Sequence, residues 1–252
     1  MSIIKVKRIL DNFNDKFNMK LCIGSELEFY FENFSDKKYR EFMNMISNTL
    51  PNHLITKERG ERQYEIIIPK TFDILFHIKN ITIAKNIIST IAQECEMVAN
   101  FMAKPYENEP GNALHINISA FINGRNIFTK HNNQDSDYIL YAIGGLCHNM
   151  KKDLKVFLPS KESYKRIIPK NNAPTTVSWG GNNRTVAIRI PTTESDNYRI
   201  EHRVSGSDAD PEQVILKIIK AIFQGIEQKI TPPKKIYGDA SDQQYQLPLL
   251  LE

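Results

Sequence analysis

Two glutamates separated by one residue have the spacing of a metal-binding strand. Glu26 and Glu28 alternate with Leu27 and Phe29 within the stretch Ile23–Phe31. Successive side chains of a strand point to opposite faces, so the two carboxylates share one face, about 7 Å apart. Oxygens at that spacing suit neighbouring divalent cations. Taken alone, the pattern fits an exposed strand edge with two solvated acids better, so the other polar strands must decide.

Two further stretches repeat this alternation of polar and apolar residues. In Leu114–Ile118 and just beyond it, the polar set is His115, Asn117 and Ser119. Near the C-terminal end, three charged residues share one face of a predicted strand: Arg199, Glu201 and Arg203. Neutral imidazole together with carboxylates suits Mn²⁺ and tolerates Mg²⁺. A lone histidine in a strand is more often structural, and only the company of Glu26 and Glu201 favours a metal site.

Arginines in or beside the same predicted sheet indicate an anion next to that metal. They are Arg166, Arg184, Arg189 and Arg203. Guanidinium groups match carboxylate and phosphate oxygens and stay charged at any working pH. The alternative is internal pairing with acids such as Glu194, Asp208 or the metal-site glutamates. Glu65, in the predicted strand Gln63–Pro69, and the loop at Gly111 complete the candidate site. The residues alone therefore predict a metal-dependent, phosphate-handling sheet cavity.

The bulk composition is that of an ordinary globular protein. The 252 residues are 41% hydrophobic and 25% charged, with a net charge of +4. The basic residues are scattered along the chain and do not indicate a nucleic-acid-binding surface. No apolar run approaches the roughly 20 residues of a membrane helix, and the N-terminus lacks the pattern of a signal peptide. Cys22, Cys95 and Cys147 are far apart and odd in number, so we expect reduced thiols and a cytoplasmic location.

The hydrophobic periodicity predicts one α+β domain spanning residues 1–252. A lead-in helix is expected within residues 1–20, and a polar then apolar tail over 235–252. Asp36 is expected to cap a helix over 38–50, and Gly180–Asn183 to form the turn between two strands. The other helices are predicted over 81–102, over about 136–156, and from Pro211 to about 230.

Six blocks of residues stand in a characteristic order along the chain: Gly24-Ser25-Glu26-Leu27-Glu28-Phe29, Gln63-Tyr64-Glu65-Ile66, Gly111-Asn112-Ala113-Leu114-His115, Ser163-Tyr164-Lys165-Arg166, Asn183-Arg184-Thr185 with Ile188-Arg189-Ile190-Pro191, and Arg199-Ile200-Glu201-His202-Arg203. The glutamine synthetase catalytic domain carries these blocks in the same order, and from Gly24 to Pro232 the chain resembles that domain. The resemblance implies a glutamine synthetase/guanido kinase-like fold: a curved antiparallel sheet with a polar active-site face and helices on the other face.

The resemblance also implies a role for each matching residue. It assigns one metal, beside the ATP phosphates, to Glu26, His115 and Glu201, and a second metal to Glu28 and Glu65. It assigns ATP phosphates and the transferring phosphoryl group to Arg184 and Arg189, with Asn117 and Ser119 on the nucleotide side. It assigns the carboxylates of a glutamate-like acid to Arg166 and Arg203, and its amino group to the Gly111 loop. ATP with Mg²⁺ or Mn²⁺ is therefore the implied cofactor set.

This chain departs from the family pattern at three positions of the site. The third acid of the second metal should stand eight residues before Glu65, where this chain has Lys57, with Glu58 one residue away. The flap glutamate that serves as a catalytic base is replaced by Asn172, and the second histidine of the family's His-x-His is Asn117. The family's small N-terminal domain has no counterpart in this sequence. The second metal site and the amine half of the site are thus weakened.

We therefore expect an ATP-dependent carboxylate–amine ligase that acts on a glutamate-like acid and on ammonia or another amine. The alternative is a non-catalytic or partner-dependent relative that binds nucleotide or amino acid. The expected partners are small molecules, with no nucleic acid and no membrane, and a homo-oligomer or a partner subunit stays open. The amine, and whether Glu58 replaces the displaced acid, also stay open.

Overall fold

The computed structural model describes residues 2–132, 134–169, 173–193, 197–246 and 248–251. Within these ranges nine strands join in one sheet, in the order β2-β3-β1-β5-β9-β8-β7, with β4 added to β1 and β6 to β5. The strands are β1 (Met19–Glu32), β2 (Leu54–Lys57), β3 (Gln63–Thr71), β4 (Val98–Asn100), β5 (Leu114–Ile122), β6 (Arg125–Asn126), β7 (Trp179–Gly180), β8 (Ile188–Arg189) and β9 (Ile200–His202).

The helices cover the apolar face of this sheet. They are α1 (Ser2–Phe17), α2 (Asp36–Thr49), α3 (Ile74–Glu94), α4 (Asp137–Asn149), α5 (Leu154–Phe157), α6 (Lys161–Lys165) and α7 (Pro211–Gln228). A single core joins the inward residues of β1, β3 and β5 to those of the helices. The predicted lead-in helix is α1, and its Phe13 ring meets Phe223 of α7 edge-on, with centroids 5.1 Å apart. None of the described helices is both long and apolar enough to span a membrane.

Strand β1 positions the site because it lies at the centre of the sheet. Its Leu27 and Phe29 are fully buried on the helix side, so Glu26 and Glu28 must point to the opposite face. The antiparallel register then pairs Glu26 with His115 of β5 and Glu28 with Glu65 of β3. Two pairs of candidate metal ligands that are distant in sequence thereby become direct cross-strand neighbours.

Three local predictions differ from the structure. Ser35, not Asp36, caps α2, because its hydroxyl accepts the Lys38 N–H while Asp36 lies in the first turn. Helix α3 begins at Ile74 because Asp73 caps it, and it ends at Glu94 because the chain turns left-handed at Glu96. The predicted segment up to 102 instead contains strand β4.

The predicted helix over 136–156 also needs correction, as does the antiparallel sheet at the turn predicted over Gly180–Asn183. Helix α4 ends at Asn149, and a separate short helix, α5, follows. Strands β7 and β8 are parallel, so the sheet is antiparallel except at this pair. The residues after Gly180 return the chain to the start of β7 before β8 begins, and Ile188 then donates its N–H to Ser178.

The C-terminal tail packs against the domain. Ile236 and Ala240 are buried against Val186, and Leu250 is buried in the main core. Backbone hydrogen bonds join Val177 and Thr175 to this tail. The tail therefore covers the edge of the sheet beside β7.

Candidate active site

The structure brings most of the predicted site residues to one cavity on the polar face of the sheet. The predicted residues that line it are Glu26, Glu28, Glu65, Gly111, His115, Arg166, Arg184, Arg189 and Arg203. Glu201 is 1% exposed and lies directly beneath it, bonded to lining side chains. Residues from β1, β3, β5, β8 and β9, and from the segments that carry Gly111, Arg166, Arg184 and Arg203, thus converge on one volume.

The first candidate metal cluster consists of Glu26, His115 and Glu201, whose ligand atoms lie within 4.8 Å of one another. The imidazole Nδ1 of His115 lies 3.4 Å from Glu26 Oε2 and 3.5 Å from Glu201 Oε1. Burial raises the pKa of Glu26, but the hydrogen bond and charge of His115 outweigh it, so the net pKa lies below its ordinary value. Two carboxylates and one imidazole form a donor set suited to Mn²⁺ or Mg²⁺.

Glu201 is held as a buried anion between two arginines. Its Oε1 accepts from Arg203 Nη1 at 2.5 Å, and its Oε2 accepts from Arg189 Nη1 at 2.7 Å. Burial opposes the charge, but Arg203, His115 and Arg189 together lower the pKa of Glu201 to about 2. The internal pairing considered for the arginines is therefore real for Arg189 and Arg203, and Arg189 also donates from Nε and Nη2 to Asn182 Oδ1.

The second candidate metal cluster consists of Glu28, Glu58 and Glu65, again with ligand atoms within 4.8 Å. Burial, together with the charges of Glu26, Glu58 and Glu28, raises the pKa of Glu65 to about 8. Burial likewise raises the pKa of Glu28. Raised carboxyl pKa values indicate that the ionised forms of these acids are destabilised. A bound divalent cation would stabilise the ionised forms.

Strand geometry explains why Glu58, and not Lys57, joins this cluster. Thr56 pairs with Glu65 across β2 and β3, and its hydroxyl donates to Glu65 Oε1. Lys57 is the next residue and faces the other side, while Glu58 returns to the side of Thr56. The N–H of Glu58 donates to the Gln63 carbonyl and closes the hairpin. Glu58 thus supplies the acid that is missing at position 57, and it lies on the same face as Thr56.

Gln63 joins the two loops that flank the second cluster. Its Oε1 accepts from the Gly60 N–H, and its Nε2 donates to Gly111 O and to Asn112 Oδ1. This buried side chain was not predicted as a site residue, although its position two residues before Glu65 places it on the same strand. Gly111 itself packs so closely that a Cβ there would lie 2.6 Å from Arg166 Cγ.

Arg166 is buried under this loop, and its guanidinium donates to the carbonyls of Arg203 and Val204 at 2.9 Å. Burial lowers the pKa of Arg166 to about 10, with Glu28 acting against that shift. The guanidinium therefore remains positively charged at neutral pH beside the second acidic cluster. Helix α6 and its Ser160 capping box deliver this residue to the cavity.

The two residues predicted on the nucleotide side, Asn117 and Ser119, line a second cavity that adjoins the first. Its apolar wall includes Ile67, Ile68 and Pro69, and Arg199 and Glu26 line both cavities. The Ser119 hydroxyl donates to the Tyr198 carbonyl, so the Ser119 oxygen can still accept a hydrogen bond. Asn172, predicted at the flap, lies outside the described residues.

Comparisons with known proteins agree with this geometry. The family model "Glutamine synthetase, catalytic domain" matches residues 24–249. Gamma-glutamylputrescine synthetase PuuA of Escherichia coli strain K12 is 34% identical over 74% of this chain and 40% of its own length. A glutamine synthetase of Pyrococcus horikoshii is 32% identical over 90% of this chain and 56% of its own length. The chain thus spans about half the length of these relatives.

A solved structure described as a GmaS/ADP complex has the same fold, with a TM-score of 0.84. The alignment covers 98% of this chain and 64% of that chain, at 23% sequence identity.

Proposed function

This chain belongs to the glutamine synthetase family through its catalytic domain, and we propose that it is an ATP-dependent ligase joining a glutamate-like carboxylate to an amine. Its relatives include glutamine synthetases and a gamma-glutamylputrescine synthetase, so the family accommodates both ammonia and organic amines. Because the chain spans about half the length of those relatives, its own activity and its own substrates are part of this proposal.

The two acidic clusters would hold the divalent cations of such a ligase. Glu26, His115 and Glu201 offer one complete ligand set, and Glu28, Glu58 and Glu65 offer the other. The raised pKa of Glu65 supports the fit, because burial and the neighbouring acids both oppose its ionisation, which a bound cation would favour. When bound, Mg²⁺ or Mn²⁺ neutralises phosphate charge during phosphoryl transfer.

The arginines would divide between phosphate and substrate. Arg184 and Arg189 lie in the cavity lining and are proposed to contact ATP phosphates. Arg166 is buried beside Gly111 and Arg203 is buried against Glu201, and both are proposed to bind the carboxylates of the acid substrate. Arg166 is suited to this role because its backbone hydrogen bonds fix the guanidinium plane before substrate arrives.

The proposed reaction has two steps. A carboxylate oxygen of the acid attacks the γ-phosphorus of ATP, which forms an acyl phosphate and releases ADP. The amine nitrogen then attacks the acyl carbon, phosphate leaves with the bonding electrons, and the nitrogen loses one proton to give the amide. The first step depends on positioning and charge neutralisation, which the arginines and acids of the cavity provide.

The amine step needs a group that accepts a proton from the nitrogen. The family's flap glutamate is Asn172 in this chain, and a carboxamide cannot take that proton. We propose that this loss slows the amine step for every acceptor that is protonated at neutral pH, ammonium and primary alkylammonium ions alike. Asn172→Glu is then expected to raise ammonia-dependent turnover, and unchanged turnover would place the limiting defect elsewhere.

The observation that carries the proposal is the convergence of two separate carboxylate clusters and six arginines on one cavity. Like-charged acids gathered around a volume are costly unless a cation occupies it, and arginines at its rim require anions. A divalent cation held by the acids, with phosphate and a substrate carboxylate at the arginines, would satisfy both sets of charges at once.

The test is phosphate release from ATP with Mg²⁺ or Mn²⁺, measured with and without glutamate. The acceptor panel contains ammonia, short primary alkylamines and putrescine, the amine in the name of the Escherichia coli relative. We expect release that requires both glutamate and one amine, together with the matching amide in the products. Glu26→Gln should abolish it, whereas Glu61→Gln, an exposed acid outside both clusters, should not. Nucleotide binding without release on any amine would contradict the ligase.

A further inference from the structure

We propose that Asn117 is a positioning residue that holds the metal ligand Glu26 and the guanidinium of Arg199 in one fixed arrangement. Glu26 and Arg199 line both the metal cavity and the adjoining cavity, so they form the boundary between the two. Asn117 lines only the adjoining cavity. This inference rests on the proposed function, because it concerns how the two halves of that site are held together.

The hydrogen bonds of Asn117 connect the two boundary residues directly. Its Nδ2 donates to Glu26 Oε1 at 3.1 Å, and its Oδ1 accepts from Arg199 Nε at 3.0 Å. The chemistry of the neighbours fixes this orientation of the amide. An ionised carboxylate only accepts and a guanidinium only donates, so a flipped amide would lose both bonds.

The sheet explains how one side chain can reach both partners. In the β1–β5 register the residue opposite Asn117 is Gly24, which has no side chain to fill the space. The amide can therefore lean diagonally towards Glu26, two residues further along β1. Arg199 approaches from the segment before β9, the strand on the other side of β5.

The bond to Asn117 leaves Glu26 prepared for a metal. Oε2 of Glu26 faces His115, while Oε1 is fixed by the amide, so the carboxylate cannot rotate freely. Partners that fix a ligand in this way typically contribute 10- to 100-fold to metal affinity. On the other side, Asn117 occupies Nε of Arg199, and Nη1 of Arg199 reaches the Asn197 carbonyl at 3.3 Å. This directs the guanidinium plane towards the cavities.

The chemical requirement at position 117 is one donor and one acceptor on a short, rigid side chain. A neutral histidine meets that requirement, with one ring nitrogen protonated and the other free. Leucine has a similar size and meets neither part of it. The pair Asn117→His and Asn117→Leu therefore separates hydrogen bonding from packing.

The experiment measures binding and does not depend on turnover. Mn²⁺ affinity is measured by electron paramagnetic resonance in a Glu65→Gln background, which weakens the other cluster, and ADP affinity by calorimetry with Mg²⁺ present. We expect Asn117→Leu to weaken both Mn²⁺ and ADP by about 10-fold or more, and Asn117→His to restore both to within about threefold of the parent. The control is Asn149→Leu, which removes one hydrogen bond within α4 and one between α4 and α7, away from both cavities.

Each outcome decides a separate point. Wild-type affinity in Asn117→Leu would overturn the inference while leaving the proposed function intact, and so would a histidine variant as weak as the leucine one. Loss of affinity in Asn149→Leu as well would mean that general destabilisation is the cause, and would also overturn it. A parent protein that binds neither Mn²⁺ nor ADP would overturn the proposed function, and this inference with it.

Discussion

Neutralising Glu58 should have opposite effects on stability with and without metal. In Glu58→Gln the second cluster loses one of three acids whose ligand atoms lie within 4.8 Å of one another. Two unit charges 4.8 Å apart repel by about 3.5 kcal/mol at an effective dielectric constant of 20. The pKa of Glu65, raised to about 8 by burial and by its acidic neighbours, shows that protonation already relieves part of this repulsion.

We therefore expect the metal-free variant to be more stable than wild type by about 1 kcal/mol, which raises Tm by about 2–4 °C for a domain of this size. With saturating Mn²⁺ the order should reverse. Removing a direct ligand should cost at least the 10- to 100-fold in affinity that an outer-shell partner costs. That loss corresponds to about 1.4–2.7 kcal/mol, so the Mn²⁺-induced rise in Tm should shrink by about 3–10 °C.

The assay is differential scanning fluorimetry across a Mn²⁺ titration, with EDTA-treated protein as the metal-free state. The matched control is Glu61→Gln, which removes the same charge three residues away, from a side chain that is 77% exposed and outside the cluster. An unchanged metal-free Tm together with an unchanged Mn²⁺ response would refute the assignment of Glu58 to the cluster. Equal changes in Tm in the two variants, with and without Mn²⁺, would mean that the change in net charge is the cause, and would refute a specific role for Glu58 in the cluster.

Three further predictions concern packing and protonation. Gly111→Ala should raise KM for the acid substrate more than it lowers kcat, because the new Cβ would lie 2.5 Å from Ala103 O and 2.6 Å from Arg166 Cγ; an unchanged KM would contradict this. Burial lowers the pKa of His77 from 6.5 to about 4, so the neutral form contributes about 3 kcal/mol of stability that is complete above pH 6.5 and lost as the pH falls towards 4. The free energy of unfolding, measured with urea between pH 7 and 4, should therefore depend less on pH in His77→Gln than in the wild type. Equal dependence on pH would contradict this prediction. Phe13→Ala, at a fully buried position of α1, should cost about 3–5 kcal/mol in urea unfolding, and a loss below 1 kcal/mol would mean that α1 is not part of the core.

Local patterns predicted the parts of the fold in which neighbouring residues act together. The alternation around Glu26 and Glu28 predicted both the strand and the face on which the acids lie, because burial of Leu27 and Phe29 leaves no other choice. Pro211 marked the start of α7 for the same kind of reason, since a proline suits the first turn of a helix. Where caps competed, the sequence was ambiguous: Ser35 and Asp36 are both good caps, and the structure uses Ser35.

The sequence by itself determined which residue types were candidates for binding metal and phosphate, and their order along the chain. Only the tertiary structure decided which of them meet. Glu58 joins Glu28 and Glu65 because the β2–β3 register turns it to the same face as Thr56, and the identity of its neighbour Lys57 gave no sign of this. Asn117 reaches both Glu26 and Arg199 because β5 lies between β1 and β9. Side-chain direction follows from local alternation, whereas contact between strands depends on register and sheet order, which the whole core fixes together.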